Sequence, residues 1–389
     1  MNQPTIRARR PPLWLAASAV AAAWGALYSV ARWIVYFAIN PVHEDVRIDY
    51  VAAQAGLRYG WSTIYDLATL RALSAGFPKG ETGLDASATY ISPPLLAWLF
   101  VPLTAMSVPL AYVIWTLVSL AALVWAWHIA APYRGLAKLT LLLLALALWP
   151  VMQSLYYGQP TILLLGLVAT AWWLLAGNRP IAAGVALAIA TGLKPQTVIL
   201  VPLALLVSGR YRVFASWAAG SVLFAAAGIA ALGPNGLVSF WNTLKYVQTD
   251  PSHTYFTIAY LISFGPLAYT LLALQGIAAL AIAWRRRSDL DIVFAAGLLG
   301  SITIGVHLHQ WDYSELVLAA WLVLRTSPPL WHRLFLLIGV ATMQLASIGD
   351  PVPQLLWNAA WLAILYQGAS RAAPEPDRRA VSLEASSPS

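Results

Sequence analysis

The sequence of 389 residues contains no cysteine and few charged residues. Without cysteine, disulfide bonds, zinc–thiolate sites and thiol nucleophiles are excluded. Charged residues make up 10% of the chain, whereas soluble domains usually carry about 25%. A water-soluble globular protein is therefore excluded. The apolar segments leave no room for a separate soluble catalytic domain. A mainly disordered chain and a nucleic-acid-binding protein are excluded as well.

Hydrophobic residues, by contrast, make up 60% of the chain. A transmembrane helix needs about 20 largely apolar residues, so the composition suffices for roughly ten to twelve spans. We predict an all-α polytopic membrane protein with one integral-membrane domain over residues 1–371. The net charge of +8 is then assigned to cytoplasmic loops, and tryptophans to the lipid headgroup level.

The first apolar run, 11–38, follows three arginines and is too long for a signal-peptide core, so we predict an uncleaved first span with its amino end in the cytoplasm. Basic clusters at 210–212, 285–287, 333 and 371–379 are assigned to the cytoplasm as well. All of these clusters can lie on the cytoplasmic side only if the short, proline-containing segment 93–107 does not cross the membrane fully, so we predict a broken or membrane-dipping helix there. The result is about twelve spans in the cell membrane, both termini cytoplasmic, and a disordered tail over 372–389.

The remaining apolar runs are predicted at 109–131, 136–152, 160–176, 181–193, 196–208, 213–232, 256–284, 291–306, 313–325, 334–348 and 352–368. With this topology, the unusual polar segments lie at the extracytoplasmic ends of the spans: the first external loop 40–92, then 156–159, 194–196, the loop 233–254 and 307–312. Ionisable groups at the hydrocarbon boundary are costly and indicate function. We therefore expect a site that opens to the outside.

Asp45 and Asp49 follow the first span and are four residues apart, so a helix would carry both carboxylates on one face. A partly desolvated carboxylate at the membrane boundary can have a raised pKa and act as a general base. A solvated acidic loop is the alternative.

Three further polar positions interrupt apolar runs. Gln159 lies in a turn between two runs and suits hydrogen bonds to sugar hydroxyls, although an aromatic belt with a turn also explains this segment. Lys194 has no acidic neighbour nearby in sequence, so it is either a cation for a phosphate or an ordinary interfacial lysine. His307 and His309 point to different faces of a helix, which favours hydrogen bonding over a metal site, and we predict no metal ligands.

Other polar patterns are given structural interpretations. The segment 60–66 is typical of a turn that ends a helix, and 90–96 of a break before the membrane. Asp289 and Asp291 follow three arginines directly, so we interpret them as balancing those charges rather than holding a metal.

Taken in order, these motifs resemble those of the GT-C glycosyltransferases, most closely glycosyltransferase family 87. The resemblance covers roughly residues 12–330 and is carried by an acidic residue after the first span, Tyr50-Val51-Ala52-Ala53 to Gly60, Tyr65-Asp66, Tyr90 with Pro93-Pro94, Pro102-Leu103, Gly158-Gln159-Pro160, Ala183-Gly184, Lys194-Pro195, and His307-x-His309-x-x-Asp312. It implies a GT-C-like bundle and an inverting transferase that moves a sugar, expected to be mannose, from a polyprenyl phosphate to a lipid or glycan acceptor. No cofactor is expected beyond that donor.

The resemblance also implies a catalytic aspartate in the first external loop, for which we favour Asp45 over Asp49. Lys194, with Arg47 or Arg58, is expected to stabilise the leaving phosphate, and the histidines to orient phosphate or acceptor. The predicted substrate-binding residues are Arg47, Tyr50, Gln159, Lys194, His307, His309 and Asp312. A transporter or flippase of a lipid-linked sugar is the main alternative, although it would favour polar groups at mid-membrane and matching halves. A non-catalytic membrane scaffold would leave the one-sided polar clustering unexplained.

Overall fold

The structure, a computed structural model, describes residues 12–39, 43–77, 89–248, 255–345 and 349–370. Within these ranges the chain is helical and contains no strand. The predictions for the amino-terminal arginines and for the tail 372–389 lie outside the described residues.

The helices follow the apolar runs closely. Their bounds are α1 Leu13–Ile39, α2 Glu44–Tyr59, α3 Leu67–Ser74, α4 Pro94–Phe100, α5 Val108–Ala130, α6 Gly135–Ala147, α7 Trp149–Tyr157, α8 Thr161–Ala176, α9 Pro180–Leu193, α10 Leu200–Val207, α11 Tyr211–Gln248, α12 Ile258–Ile262, α13 Pro266–Arg285, α14 Leu290–Thr303, α15 Leu316–Arg325, α16 Leu330–Leu345 and α17 Val352–Ser370. Short 3₁₀ helices lie at 61–63, 101–105, 195–197 and 310–315.

Four described helices are long and apolar enough to cross a membrane by themselves: α1, α5, α11 and α13. The bent pair α6 and α7, which turns by 58° at Leu148, adds a fifth if it forms one span. Large apolar side chains on α1, α11 and α13 are exposed, as expected for helices that face lipid. The chain is therefore a membrane protein, but the expected count of twelve spans is not confirmed, because several predicted spans are helices of 8 to 16 residues.

The segment 93–107 forms α4 followed by the 3₁₀ helix 101–105. Twelve residues rise about 18 Å, which is shorter than a hydrocarbon core of about 30 Å. The hydroxyl of Tyr90 accepts a hydrogen bond from the backbone N–H of Ala97 at 3.0 Å and donates to the carbonyl of Pro93 at 2.7 Å. This tyrosine therefore fixes the start of α4 and explains the structural break predicted there.

Two segments predicted as loops contain helices instead. The described parts of 40–92 hold α2 and α3, so this segment is not an irregular loop. Asp66 caps α3 by accepting the N–H of Thr69 at 2.9 Å, in line with the architectural role predicted for this turn. In 233–254, helix α11 breaks at Gly233, where φ is +59°, and then continues to Gln248. Charged and polar residues interrupt the apolar positions of these helices, so the sequence shows no continuous apolar run there.

Contacts at the ends of the helices define two opposite ends of the bundle. At one end, Arg286 pairs with Asp289, and Arg325 pairs with Asp291, which also accepts the indole N–H of Trp172 at 2.8 Å. We call this the basic end. Asp289 also caps α14. The predicted charge balance is confirmed for Asp289, which pairs with Arg286, whereas Asp291 pairs with Arg325 and with none of the three arginines before it. The opposite ends of α8, α9 and α15 carry Gln159, Lys194 and Asp312, and we call that end the site end.

Candidate active site

Four side chains from four parts of the sequence form a continuous chain of polar contacts at the site end. The amide nitrogen of Gln159 donates to Oδ2 of Asp45 at 2.5 Å, and the ammonium of Lys194 donates to Oε1 of Gln159 at 3.2 Å. Lys194 also forms an ion pair with Oδ1 of Asp312. Four of the predicted site residues are therefore in contact, although up to 267 positions separate them in sequence.

Asp45 lies in the first turn of α2, where the helix dipole favours a negative charge. The prediction that a helix places Asp45 and Asp49 on one face is confirmed by the bounds of α2. Asp45 is partly exposed, whereas the side chain of Asp49 is buried. Only Asp45 contacts the polar chain directly, through Gln159.

Burial raises the pKa of Asp45 to about 7, and the charge of Glu44 adds to this effect, while the bond from Gln159 and the charge of Lys194 oppose it. Burial also raises the pKa of Asp49 well above its ordinary value, with the charge of Asp45 adding to the effect. Near neutral pH, Asp45 is therefore divided between its acid and base forms, as a general base should be.

Gln159 is held by a turn between α7 and α8. Gly158 ends α7 with φ at +76°, and the backbone N–H groups of Gly158 and Gln159 both donate to the carbonyl of Ser154, at 3.0 and 2.9 Å. A Cβ on Gly158 would lie 2.2 Å from Cγ2 of Val46 on α2. Glycine is thus required both for the left-handed backbone and for the close approach of α2, which sets the Asp45–Gln159 distance.

We expect Gly158→Ala to lower any activity that depends on the Asp45–Gln159 contact by about 100-fold, because a displacement of the order of 1 Å between reacting groups has that effect. Gly209→Ala is the matched control, since Gly209 also has a positive φ (+85°) but no atom within 4 Å of its added Cβ. Initial rates of the two variants in the same membranes give the measurement. The double variant Gly158→Ala/Val46→Ala should recover part of the activity; equal losses in the two glycine variants would contradict the argument.

Lys194 ends α9, and Pro195 directly after it forces the extended conformation observed at the lysine (φ −154°, ψ 85°). No neutralising partner was expected for this lysine from its neighbours in sequence, and the structure supplies one in Asp312, which lies 118 positions away. An ammonium group has three N–H donors. Gln159 and Asp312 use two of them, which leaves one for a ligand.

Asp312 is fully buried in the 3₁₀ helix 310–315. Its Oδ2 accepts the backbone N–H of His309 at 2.9 Å, so both of its oxygens are used. The ring of His309 stacks on Trp311 at 4.4 Å and lies 5.2 Å from the ring of His307, edge to face. Both histidines therefore lie beside the polar chain. Within the described residues, no group of three or more histidine and acidic side chains could hold a metal ion.

Three residues that were predicted to contact substrate do not lie in the chain of polar contacts. Tyr50 donates its hydroxyl to the carbonyls of Thr104 and Met106, at 3.1 and 2.8 Å, so it anchors α2 to the segment after α4. Arg47 is buried, and the helix turns it about 200° away from Asp45. Arg58 is exposed at the far end of α2, about 20 Å along the axis from Asp45. We leave these three out of the proposed substrate contacts.

Two charged residues at the site end were missed by the sequence analysis. Arg32 is exposed on α1, its guanidinium lies 4.6 Å from the ring of Trp149, and no carboxylate in the described part of the chain pairs with it. Arg32 could have been found from the sequence, because it is a charged residue isolated within an apolar run. Glu315 is fully buried beside Thr197 and the Lys194–Asp312 pair.

A neighbouring histidine has a structural role. His43 is buried between Phe37 and Tyr112, with ring centroids at 5.1 and 4.3 Å and nearly parallel planes. Burial lowers its pKa to about 4, so it stays neutral near pH 7. It supports the start of α2 through packing.

A helical bundle with several membrane-capable helices, and with a carboxylate, an amide and a cation assembled at one end, is an arrangement suited to group transfer at a membrane boundary. The model of glycosyltransferase family 87 matches residues 90–308, which is more than half of the chain. The chain belongs to this family and hence to the GT-C superfamily, which indicates a membrane glycosyltransferase. No curated protein and no solved structure gives a significant match. The matched range contains Gln159, Lys194 and His307, whereas α2 precedes it.

Proposed function

We propose that the protein is an inverting hexosyltransferase, which moves mannose from a polyprenyl-phosphate donor to a lipid or glycan acceptor on the extracytoplasmic face of the cell membrane. The observation that carries the proposal is the contact chain from Asp45 through Gln159 and Lys194 to Asp312. It joins a carboxylate that can take a proton to a cation with one unused donor, at the end of the bundle opposite to the basic end.

In the proposed reaction, Oδ1 of Asp45 takes the proton of an acceptor hydroxyl, while Oδ2 is held by Gln159. The hydroxyl oxygen attacks the anomeric carbon from the side opposite to the phosphate. The new C–O bond forms as the bond to the phosphate oxygen breaks, and polyprenyl phosphate leaves with that electron pair. A single displacement inverts the anomeric configuration and needs one base, because the phosphate leaves as a stable anion.

Charge on the leaving phosphate would be met from two sides. Lys194 offers its third N–H, and His307 and His309 lie beside the same segment. Arg32 is exposed on α1 at the same end, and Trp149, which its guanidinium contacts, donates its indole N–H to Gln310 of the segment that carries Asp312. A lipid phosphate that approaches through the membrane would meet Arg32 first. Arg32 is therefore our candidate for binding the donor, in place of Arg47 and Arg58.

The test is transfer by the purified protein in lipid nanodiscs, with synthetic polyprenyl-phosphate mannose as donor and a lipid extract as acceptor. Mass spectrometry is expected to detect a product heavier by one hexose, and NMR of the purified product an inverted anomeric centre. A transporter or flippase of a lipid-linked sugar predicts movement of intact donor across proteoliposomes with no new glycosidic bond. That result would refute the transferase. Comparison of glycolipids from a deletion strain and its parent would identify the acceptor.

A further inference from the structure

A cavity of about 310 Å³ lies between α3 and the second half of α11, apart from the contact chain of Asp45. Eight of its ten lining residues carry a hydroxyl, an amide or a carboxylate. The polar lining residues include Asp66, Thr89, Ser239, Asn242, Thr243 and Tyr246. We call this cavity the polar cleft. Its volume is at the lower end of the range for small-molecule sites, about 300–1,000 Å³.

The wall formed by α11 is a polar stripe at helical spacing. Ser239, Asn242, Thr243 and Tyr246 are separated by three, one and three positions, so all four lie on one face. Within the described residues, the side chains of Ser239, Asn242 and Thr243 make no hydrogen bond. Three polar groups therefore line one cleft, and no described part of the chain uses their hydrogen-bonding capacity.

The opposite wall supplies a fixed carboxylate. Oδ2 of Asp66 accepts both the N–H and the hydroxyl of Thr69, at 2.9 and 2.6 Å. These bonds lower the pKa of Asp66, so it stays ionised near neutral pH. Its other oxygen can accept hydrogen bonds from a ligand. No lysine or arginine lines the cleft, which disfavours an anionic ligand, and the polar lining disfavours a lipid tail.

The polar cleft lies beside α2, the helix that carries Asp45. Tyr90 lines it, and the charge of Asp49, one turn beyond Asp45 on α2, adds to burial in raising the pKa of Tyr90. Tyr65 and Leu70 of the cleft wall also pack in one cluster with Val51 and Ala52 of α2. One face of α2 thus carries the carboxylates while another forms the support of the cleft.

We propose that the polar cleft is a saccharide-binding subsite, which holds one or two neutral sugar rings of the acceptor through Asp66, Asn242 and Thr243. This inference rests on the proposed transferase function. Hydroxyl-rich rings match the amide, hydroxyl and carboxylate groups of the cleft. The acceptor would then be a glycan-bearing molecule whose sugars are recognised away from the reacting hydroxyl.

The test uses the full chain in nanodiscs with α-mannobiose as a neutral saccharide, observed by saturation-transfer NMR. We expect the wild type to bind the disaccharide and Asn242→Ala/Thr243→Ala to bind it about tenfold more weakly, through the loss of two hydrogen bonds. Asn235→Ala is the matched control, because this exposed asparagine lies on the same half of α11 outside the cleft. Ser239→Trp, which fills the cleft, should abolish binding; its unfolding temperature reports whether it folds.

Binding by the wild type that survives unchanged in the double variant and in a folded Ser239→Trp would overturn the cleft assignment, as would a wild type that does not bind. In the transfer assay, the double variant should raise KM for a glycan acceptor with kcat and the donor KM unchanged. If saccharide binds in the cleft but no product forms, the transferase proposal fails alone. If transfer proceeds and cleft variants behave as wild type, the cleft fails alone.

Discussion

Asp45→Asn is expected to lower kcat for sugar transfer by about 10²- to 10⁴-fold, the usual contribution of a positioned general base. Asparagine keeps an oxygen that can accept the bond from Gln159 but cannot take a proton. KM for donor and acceptor should change little, because shape and contacts are preserved. The measurement is initial rate against substrate concentration in nanodiscs.

Asp49→Asn is the matched control for this variant. Asp49 is on the same face of α2, but its side chain is buried, burial raises its pKa well above the ordinary value, and only Asp45 contacts Gln159. An amide in its place should reduce kcat by less than about tenfold. If Asp49→Asn removes activity while Asp45→Asn retains it, the assignment of the base is reversed.

The pH profile separates a base from a structural carboxylate. The pKa of Asp45 is raised to about 7, mainly by burial, and only its ionised form can accept a proton. The value of kcat/KM should therefore rise about tenfold per pH unit below pH 7 and level off above pH 7. This dependence should disappear from the residual activity of Asp45→Asn. An unchanged profile in the variant would show that another group titrates.

Lys194→Met is expected to have the second largest effect, on both stability and catalysis. Lys194 is 12% exposed and Asp312 is fully buried. Removal of one partner leaves an uncompensated buried charge, at a cost of about 3–5 kcal/mol. Because the charge of Lys194 also lowers the pKa of Asp45, the midpoint of the pH profile should move upward in any activity that remains.

A double-mutant cycle tests this pair. Asp312→Asn removes the unpaired charge, so Lys194→Met/Asp312→Asn should unfold at a higher temperature than Lys194→Met alone, while transfer stays low because the ammonium is still absent. Thermal unfolding in nanodiscs gives the stability readout. A double variant that is no more stable than the single one would mean that the two groups are not coupled.

The helices of the bundle could be predicted because apolar runs and their proline and glycine boundaries are local signals. The run predicted at 109–131 corresponds to Val108–Ala130, and that at 160–176 to Thr161–Ala176. Helix α2 was considered only as the helix that would bring Asp45 and Asp49 onto one face. Its charged and polar residues interrupt the apolar positions and leave no continuous apolar run. The second half of α11 was missed for the same reason.

The site was predicted in its residue types but not in its connections. Isolated polar positions between apolar runs identified Gln159, Lys194 and Asp312, whereas Asp45 was identified as an acidic residue that follows the first span and matches the family resemblance. Their pairing depends on packing between distant helices, for example the approach of Val46 to Gly158, which no local pattern encodes. The same limitation explains why Tyr50 was expected to bind substrate: only the structure brings its hydroxyl to the carbonyls of Thr104 and Met106.

The break of α11 at Gly233 divides this helix into a first part that is long enough to cross a membrane and a second part that carries the wall of the polar cleft. The 22 residues from Tyr211 to Leu232 rise about 33 Å, close to the thickness of a hydrocarbon core. The helix would emerge from the bilayer at this break, and its remaining turns, with the stripe from Ser239 to Tyr246, would overhang the membrane surface. An acceptor anchored in the same leaflet would then need a headgroup tall enough to reach the overhang, so the protein would select its acceptor by length.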